Sequence, residues 1–196
     1  MSRRLDEMDL KELWQLFPVI LTEHREEWKI WYREEKEELE HILPGGNVVR
    51  ISHVGSTAIG KIKSKPIVDI LIEVTPGTDM GEVRDILCEN GWICMSQNEK
   101  RMSFNKGYTE QGFAEKVFHL HLRYSGDHDE MYFRDYLNEH TDIAEKYEQL
   151  KLSLWKRYEH DRDGYTEAKG AFVRKYTDEA KKAYGSRYDK KLYLIG

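Results

Sequence analysis

The chain has 196 residues, of which 39% are hydrophobic, 34% charged and 12% aromatic. That length predicts one domain with a real core, and the aromatic share excludes a disordered chain. Lys and Arg number 31 against 36 Asp and Glu, a net charge of −5, which argues against non-specific nucleic-acid binding, a property built on cation–phosphate contacts.

The opening residues, MSRRLDEMDLKELW, are charged throughout and lack the apolar stretch of a secretory signal. A short helix is predicted near residues 8–16, then an extended piece at 19–21. Over 24–42, Trp28, Trp31, Tyr32, Leu39 and Ile42 recur at helical spacing among Glu and Lys. That is an amphipathic helix, ended by Pro44-Gly45-Gly46. Residues 48–53 read as a strand. Residues 67–74 are β-branched or Leu except for Asp69 and Glu73, an interior strand closed by Thr75-Pro76-Gly77. A helix is predicted over 79–90, with Gly91 as its stop. Strands are predicted next at 92–96, 101–106 and 116–124. From Glu130 the pattern is helical to near Tyr184, with breaks near His140-Thr141 and 161–164. Strands therefore crowd the front and helices the end. The expected class is α+β, an antiparallel or mixed sheet with a C-terminal helical bundle. We read a single domain over 1–196, with its core at about 19–125 and its C-terminal helices at about 128–185. No apolar run approaches the ~18 residues of a membrane span, so no membrane partner is expected. Two cysteines, Cys88 and Cys94, make no disulfide framework and are expected to be buried and inert. The expected location is the cytoplasm.

The run from His53 to Glu73 carries the chemistry. It holds a strand, the turn Gly55-Ser56-Thr57, a basic loop with Lys61, Lys63 and Lys65, and a strand bearing Asp69. Backbone N–H groups after a Gly-Ser turn can cradle phosphate oxygens, and an acid on the next strand can hold a divalent metal bridging them. Lys65, beside Pro66, is expected in the pocket, and Lys61 and Lys63 in solvent. His119 and His121 are two apart on a strand, so they share a face. With Asp69 they would form a set suited to Zn, Mn or Fe more than to Mg alone. His53 is a candidate acid or base. Arg134, at the start of a helix, is a candidate anion clamp. Asp127, His128, Asp129 and Glu130 read as a solvated loop and helix cap.

These segments resemble the GrpB family, in the nucleotidyltransferase-like superfamily. The resemblance lies in His53-Val-Gly55-Ser56-Thr57, the Lys65-Pro66-Ile-Val-Asp69 run, His119-Leu-His121 and Phe133-Arg134-Asp135-Tyr136-Leu137. Tyr147 with Leu150-Lys151, and Tyr165 with Lys169, add to it. The resemblance implies a nucleotidyltransferase-like mixed sheet flanked by helices. It implies metal-assisted transfer of a nucleotidyl or phosphoryl group from a nucleoside triphosphate to an acceptor. In that superfamily an acid–x–acid pair on the strand and a third acid bind two metal ions. Here the second position is Leu71, and Glu73 lies roughly 13 Å beyond Asp69 along an extended strand.

These features assign expected roles. Asp69 and His53 would be catalytic, and Gly55, Ser56, Thr57, Lys65 and Arg134 would bind phosphate. Asp69, His119 and His121 would bind a divalent metal (Mg, Mn or Zn), and the partner would be a nucleotide or phosphorylated small molecule. The alternative is a non-catalytic module that binds a nucleotide or phospho-metabolite in a degenerate site, which Leu71 supports. A third reading is phosphoester hydrolysis driven by the histidine pair.

Overall fold

The structure is a computed structural model that describes residues 4–189. Two helices precede the sheet, α1 (Leu10–Leu16) and α2 (Glu27–Ile42). The strands are β1 (Val48–Val54), β2 (Val68–Val74), β3 (Ile93–Gln97), β4 (Arg101–Thr109) and β5 (Gly112–Tyr124). Between β2 and β3 lies α3 (Met80–Glu89). After β5 come α4 (Asp129–Glu139), α5 (Thr141–Trp155) and α6 (Arg162–Tyr184). Acidic N-caps start several helices. Asp9 and Glu12 form a reciprocal capping box at α1, Asp79 accepts from Gly81 N–H at α3, and Asp161 from Gly164 N–H at α6.

The sheet runs β1-β2-β5-β4-β3, with β2 and β5 parallel and every other neighbour antiparallel. The class is α+β with a mixed sheet, as the order of elements predicted. Side chains of paired residues point to the same side, so register sorts the sheet into two faces. One face carries the rows His53–Ile70–Leu120–Phe104 and Ile51–Ile72–Leu122–Met102. It packs on Trp28 and Leu39 of α2 and on Met80, Val83 and Leu87 of α3, the main core. The other face carries Val54–Asp69–His119–Asn105, then Ser52–Leu71–His121–Ser103, then Arg50–Glu73–Arg123–Arg101. The C-terminal helices cover part of this polar face through Val54, Leu71, Met131, Tyr132 and Ala180.

Three expectations change. The β4–β5 hairpin runs to Thr109 and restarts at Gly112, beyond the predicted 106 and 116. Its distal residues are mostly half-buried or exposed, so ladder pairing rather than burial extends it, and no alternation announces that. Cys88 is exposed and Cys94 half-buried, because α3 turns Cys88 outward and β3 is an edge strand. His128 is buried rather than solvated. Its Nδ1 lies 2.8 Å from Oε1 of Glu73, a carboxylate only 1% exposed that also pairs with Arg50 and accepts from Gly126 N–H at 3.2 Å.

Glu73 therefore ties β1, β2 and the β5–α4 turn together at the end of the sheet remote from Asp69. Glu73→Ala strands the Arg50 guanidinium in a half-buried setting and removes every bond of that carboxylate. The expected cost is about 3 kcal/mol, read as a lower urea midpoint with an unchanged slope.

Candidate functional site

A cavity of about 1650 Å³ opens between the polar face of the sheet and the helices α5 and α6, with the N-terminal segment along one side. Asp69, His119 and His121 form its floor. Register dictates this: Asp69 pairs with His119 across the β2–β5 ladder, and His121 stands one row on, opposite Leu71. Asp69 Oδ1 lies 3.3 Å from His119 Nδ1 and 3.7 Å from His121 Nε2. The convergence expected of these three residues is present.

The protonation pattern is set by the neighbours. His119 Nε2 lies 2.8 Å from Tyr108 Oη and 3.4 Å from Arg162 Nη2. A guanidinium only donates, so Nε2 accepts, and the network assigns the ring proton to Nδ1, facing Asp69. Burial takes His119 down to about 4 against the pull of Asp69, so the ring is neutral at pH 7. Burial would raise the Asp69 carboxyl, but the hydrogen bonds from His119 and His121 outweigh it and hold Asp69 well below the usual range. Asp69 is ionised.

Lys65, Lys151, Arg162 and Lys169 line the cavity with Asp69. Burial, then Lys169 and Arg162, lowers Lys65 to about 7. Burial and Lys169 lower Lys151 to about 7. Burial, opposed by Asp69, lowers Lys169 to about 8. The ammonium groups of Lys65 and Lys169 sit 5.7 Å and 4.3 Å from the centroid of the Tyr165 ring. Tyr165 is 0% exposed, and its hydroxyl has no hydrogen-bond partner among the described residues. Burial pushes that phenol well above its ordinary range, so it stays a donor. Lys151 is spent differently. Its Nζ donates to the Lys63 carbonyl and lies over the Tyr147 ring, pinning the basic loop.

The Gly-Ser turn meets the floor directly. Gly55 has φ +70°, and a Cβ there would run into the Asp69 carboxylate. Glycine is required twice, for conformation and for close approach. Gly55, Ser56 and Lys65 line the cavity. Ser56 opens only a single 3-10 turn (Ser56–Ala58), and the Ala58 and Ile59 N–H groups bond the Gly55 and Ser56 carbonyls.

Three expected site residues stand elsewhere. His53 belongs to the core-face row, stacked 4.9 Å from the Tyr32 ring, and burial takes it down to about 4. Thr57 is buried, with Oγ1 3.0 Å from His53 Nε2. Arg134 donates to the His53 carbonyl at 2.7 Å and to Asp135 at 2.5 Å, joining α4 to β1. None of the three lines the cavity. Arg162 and Tyr108 are wall residues that sequence reasoning does not single out, and Tyr165 and Lys169 enter it only as family motifs. Positions 162, 165 and 169 recur at i, i+3 and i+7, one helix face, which is a readable signal.

Among the described residues no group of three or more His, Cys, Asp or Glu is disposed to hold a metal ion. Leu71, at the expected second acid, is fully buried against α4 and α6. Lys65, Lys151, Arg162 and Lys169 line the cavity with Asp69, and so do the acids Asp129, Glu130, Asp163 and Asp178.

Gly55→Ala tests the close approach. The new methyl displaces Asp69 and strains the positive φ, for an expected loss of about 1–3 kcal/mol. Urea unfolding reads the loss, and the ring ¹⁵N shifts of His119 report the displaced carboxylate.

The family model described as GrpB protein matches residues 18–179. The Glutamate-rich protein GrpB of Alkalihalophilus pseudofirmus is 37% identical over 167 residues, which cover 82% of this chain and 95% of that protein. The crystal structure of conserved protein GrpB from Enterococcus faecalis superposes with a TM-score of 0.73 at 28% identity, covering 84% of this chain and 99% of that one. The Cid1 poly(U) polymerase overlays at a TM-score of 0.47 and 13% identity, over 66% of this chain and 42% of that one. That overlay is too loose to carry the polymerase's chemistry across. The family match spans most of the chain and includes β1 through most of α6, so this chain belongs to the GrpB family.

Proposed function

We propose that the cleft binds a nucleotide or other phosphorylated small molecule, with Lys65, Lys169 and Arg162 taking the phosphate. One observation carries this reading: Lys65, Lys169 and Arg162 line one cavity with Asp69, the two ammonium groups gathered on the Tyr165 ring. Charges of one sign crowded in a partly dry cleft cost free energy until an anion enters. A phosphate accepts charge-assisted hydrogen bonds from lysine and arginine. Gly55 and Ser56 bring backbone to the edge of the same cavity.

The lysine titrations set the pH dependence. Below about 7, Lys65 and Lys169 are both protonated and attract the anion. Between about 7 and 8 the free protein loses those protons. Anion affinity is therefore expected to be high near pH 6 and to fall as pH rises toward 9. Binding should also take up protons, seen as a buffer-dependent heat in calorimetry. Lys169→Ala should weaken binding of pyrophosphate or ATP by roughly 10-fold or more, the worth of a charged hydrogen bond. Unchanged affinity in Lys169→Ala and Lys65→Ala together would overturn the reading.

Metal-assisted nucleotidyl or phosphoryl transfer is the second reading, and the approach of both imidazoles to Asp69 favours it. A divalent ion (Mg, Mn or Zn) carried in with a polyphosphate would polarise a phosphoryl oxygen. Asp69, His119 and His121 would be the groups that receive the complex. The expected result is that Mg²⁺ or Mn²⁺ raises the melting temperature only when ATP is present, and that Asp69→Ala abolishes the increment. Pyrophosphate release on adding candidate acceptors separates transfer from binding alone.

A further inference from the structure

The cavity is not cationic throughout. Leu10, Leu13, Trp14 and Phe17, in and just after α1, line the same space as Lys65, Arg162 and Lys169. No α1 residue is buried, and Leu10 is 54% exposed. The helix is nonetheless fixed in place. It is capped by Asp9, succeeded by the buried Phe17 and Val19, and anchored where Val19 N–H donates to the Glu159 carbonyl at 2.7 Å. Trp155 Nε1 donates to the Val19 carbonyl at 2.6 Å. An apolar helix face held firmly over a cavity, without a core beneath it, is unusual for a short surface helix.

The apolar side connects physically to the polar floor. The Phe17 ring centroid is 4.7 Å from that of Tyr108, whose hydroxyl reaches His119 Nε2. Arg162 stacks over the outer side of the same cluster, 5.3 Å from the Tyr108 centroid. A ligand with its phosphate at the lysines would therefore meet an aromatic wall with its remainder. The cavity volume also exceeds what a phosphate group alone fills. The α1 segment lies outside the residues matched by the family model, which begin at 18. Lys65, Arg162 and Lys169 belong to the matched region and this wall does not.

We propose that α1, through Leu13 and Trp14, is the specificity wall of the cleft, selecting a phosphorylated compound with a flat apolar body, a nucleotide, over bare phosphates. The proposal rests on the phosphate-binding reading of the cleft. Trp14 supplies a stacking surface for a planar base, and Leu13 supplies apolar contact beside it. The lysines do not discriminate between one phosphate ester and another.

The experiment compares ATP with inorganic tripolyphosphate by calorimetry on the full chain, in wild type, Trp14→Ala and Leu13→Ser. In wild type, ATP should bind roughly 10-fold tighter than tripolyphosphate, the worth of base stacking on an aromatic ring. Trp14→Ala should remove most of that margin while leaving tripolyphosphate binding unchanged, and Leu13→Ser should remove part of it. Neither residue is buried, so neither change opens a core cavity, and an unchanged melting temperature verifies that both variants fold. Equal affinity for ATP and tripolyphosphate in wild type, or an ATP margin that survives both substitutions, overturns the specificity wall and leaves the phosphate site standing. If neither probe binds wild type, the phosphate-binding reading falls and the wall falls with it.

Discussion

The cleft depends on a charge imbalance built around Asp69. One ionised carboxylate faces Lys65, Lys169 and Arg162, with Lys151 behind them. A protein can relieve such an imbalance by losing protons, by admitting water or by binding an anion. Here the lysine pKa values already move toward neutrality, which is the first route at work. That response places the cations on the edge of titration at physiological pH. An anion would restore their charge, so binding and proton uptake are linked by the same groups. Glu73, the buried acid on the same face of the sheet, is committed to Arg50 and His128 at the far end.

Two faces of one sheet divide the histidines between separate jobs. His119 and His121 stand on the face of Asp69 because β5 runs parallel to β2 in a register that matches 69 with 119. His53 is one residue from Val54, the partner of Asp69, and this single step puts it on the opposite face. There it stacks on Tyr32 and holds Thr57. Its backbone carbonyl still serves the polar side's helices, accepting from Arg134. Both His53 and Arg134 thus hold the Gly55 turn in position without touching the cavity.

Most of the fold is legible in the sequence because local signals and burial agree. The β-branched run of β2, the Pro and Gly stops and the amphipathic spacing of α2 each announce one element. The floor is legible for a related reason. An acid in an otherwise apolar strand and two histidines at strand spacing point to one face, needing only the β2–β5 pairing to converge. The walls are less legible because they depend on how helices dock. Arg134 lies in the middle of α4, and its own neighbourhood leaves both directions open; packing of α4 on β1 decides it. Arg162 sits far beyond Asp69 in sequence, and nothing near it in the chain indicates that it will stack on Tyr108. The distal β4–β5 hairpin escapes sequence reading because its pairing is not accompanied by burial.

Leu71 links the packing of the C-terminal helices to the limits of the cleft. In the expected acid–x–acid pattern this position would carry a metal-binding carboxylate. Here it is 0% exposed and packs with Met131, Tyr132 and Ala180. An aspartate there would be an unpaired buried charge beneath α4 and α6, costing several kcal/mol. The same contact that docks these helices brings Tyr165 and Lys169 over the floor, since they ride on α6. A two-acid metal platform and a helix-borne cationic wall thus compete for one strip of the sheet. In this chain the strip went to the wall, so lysine and arginine side chains stand over the floor while Asp69 holds the histidines.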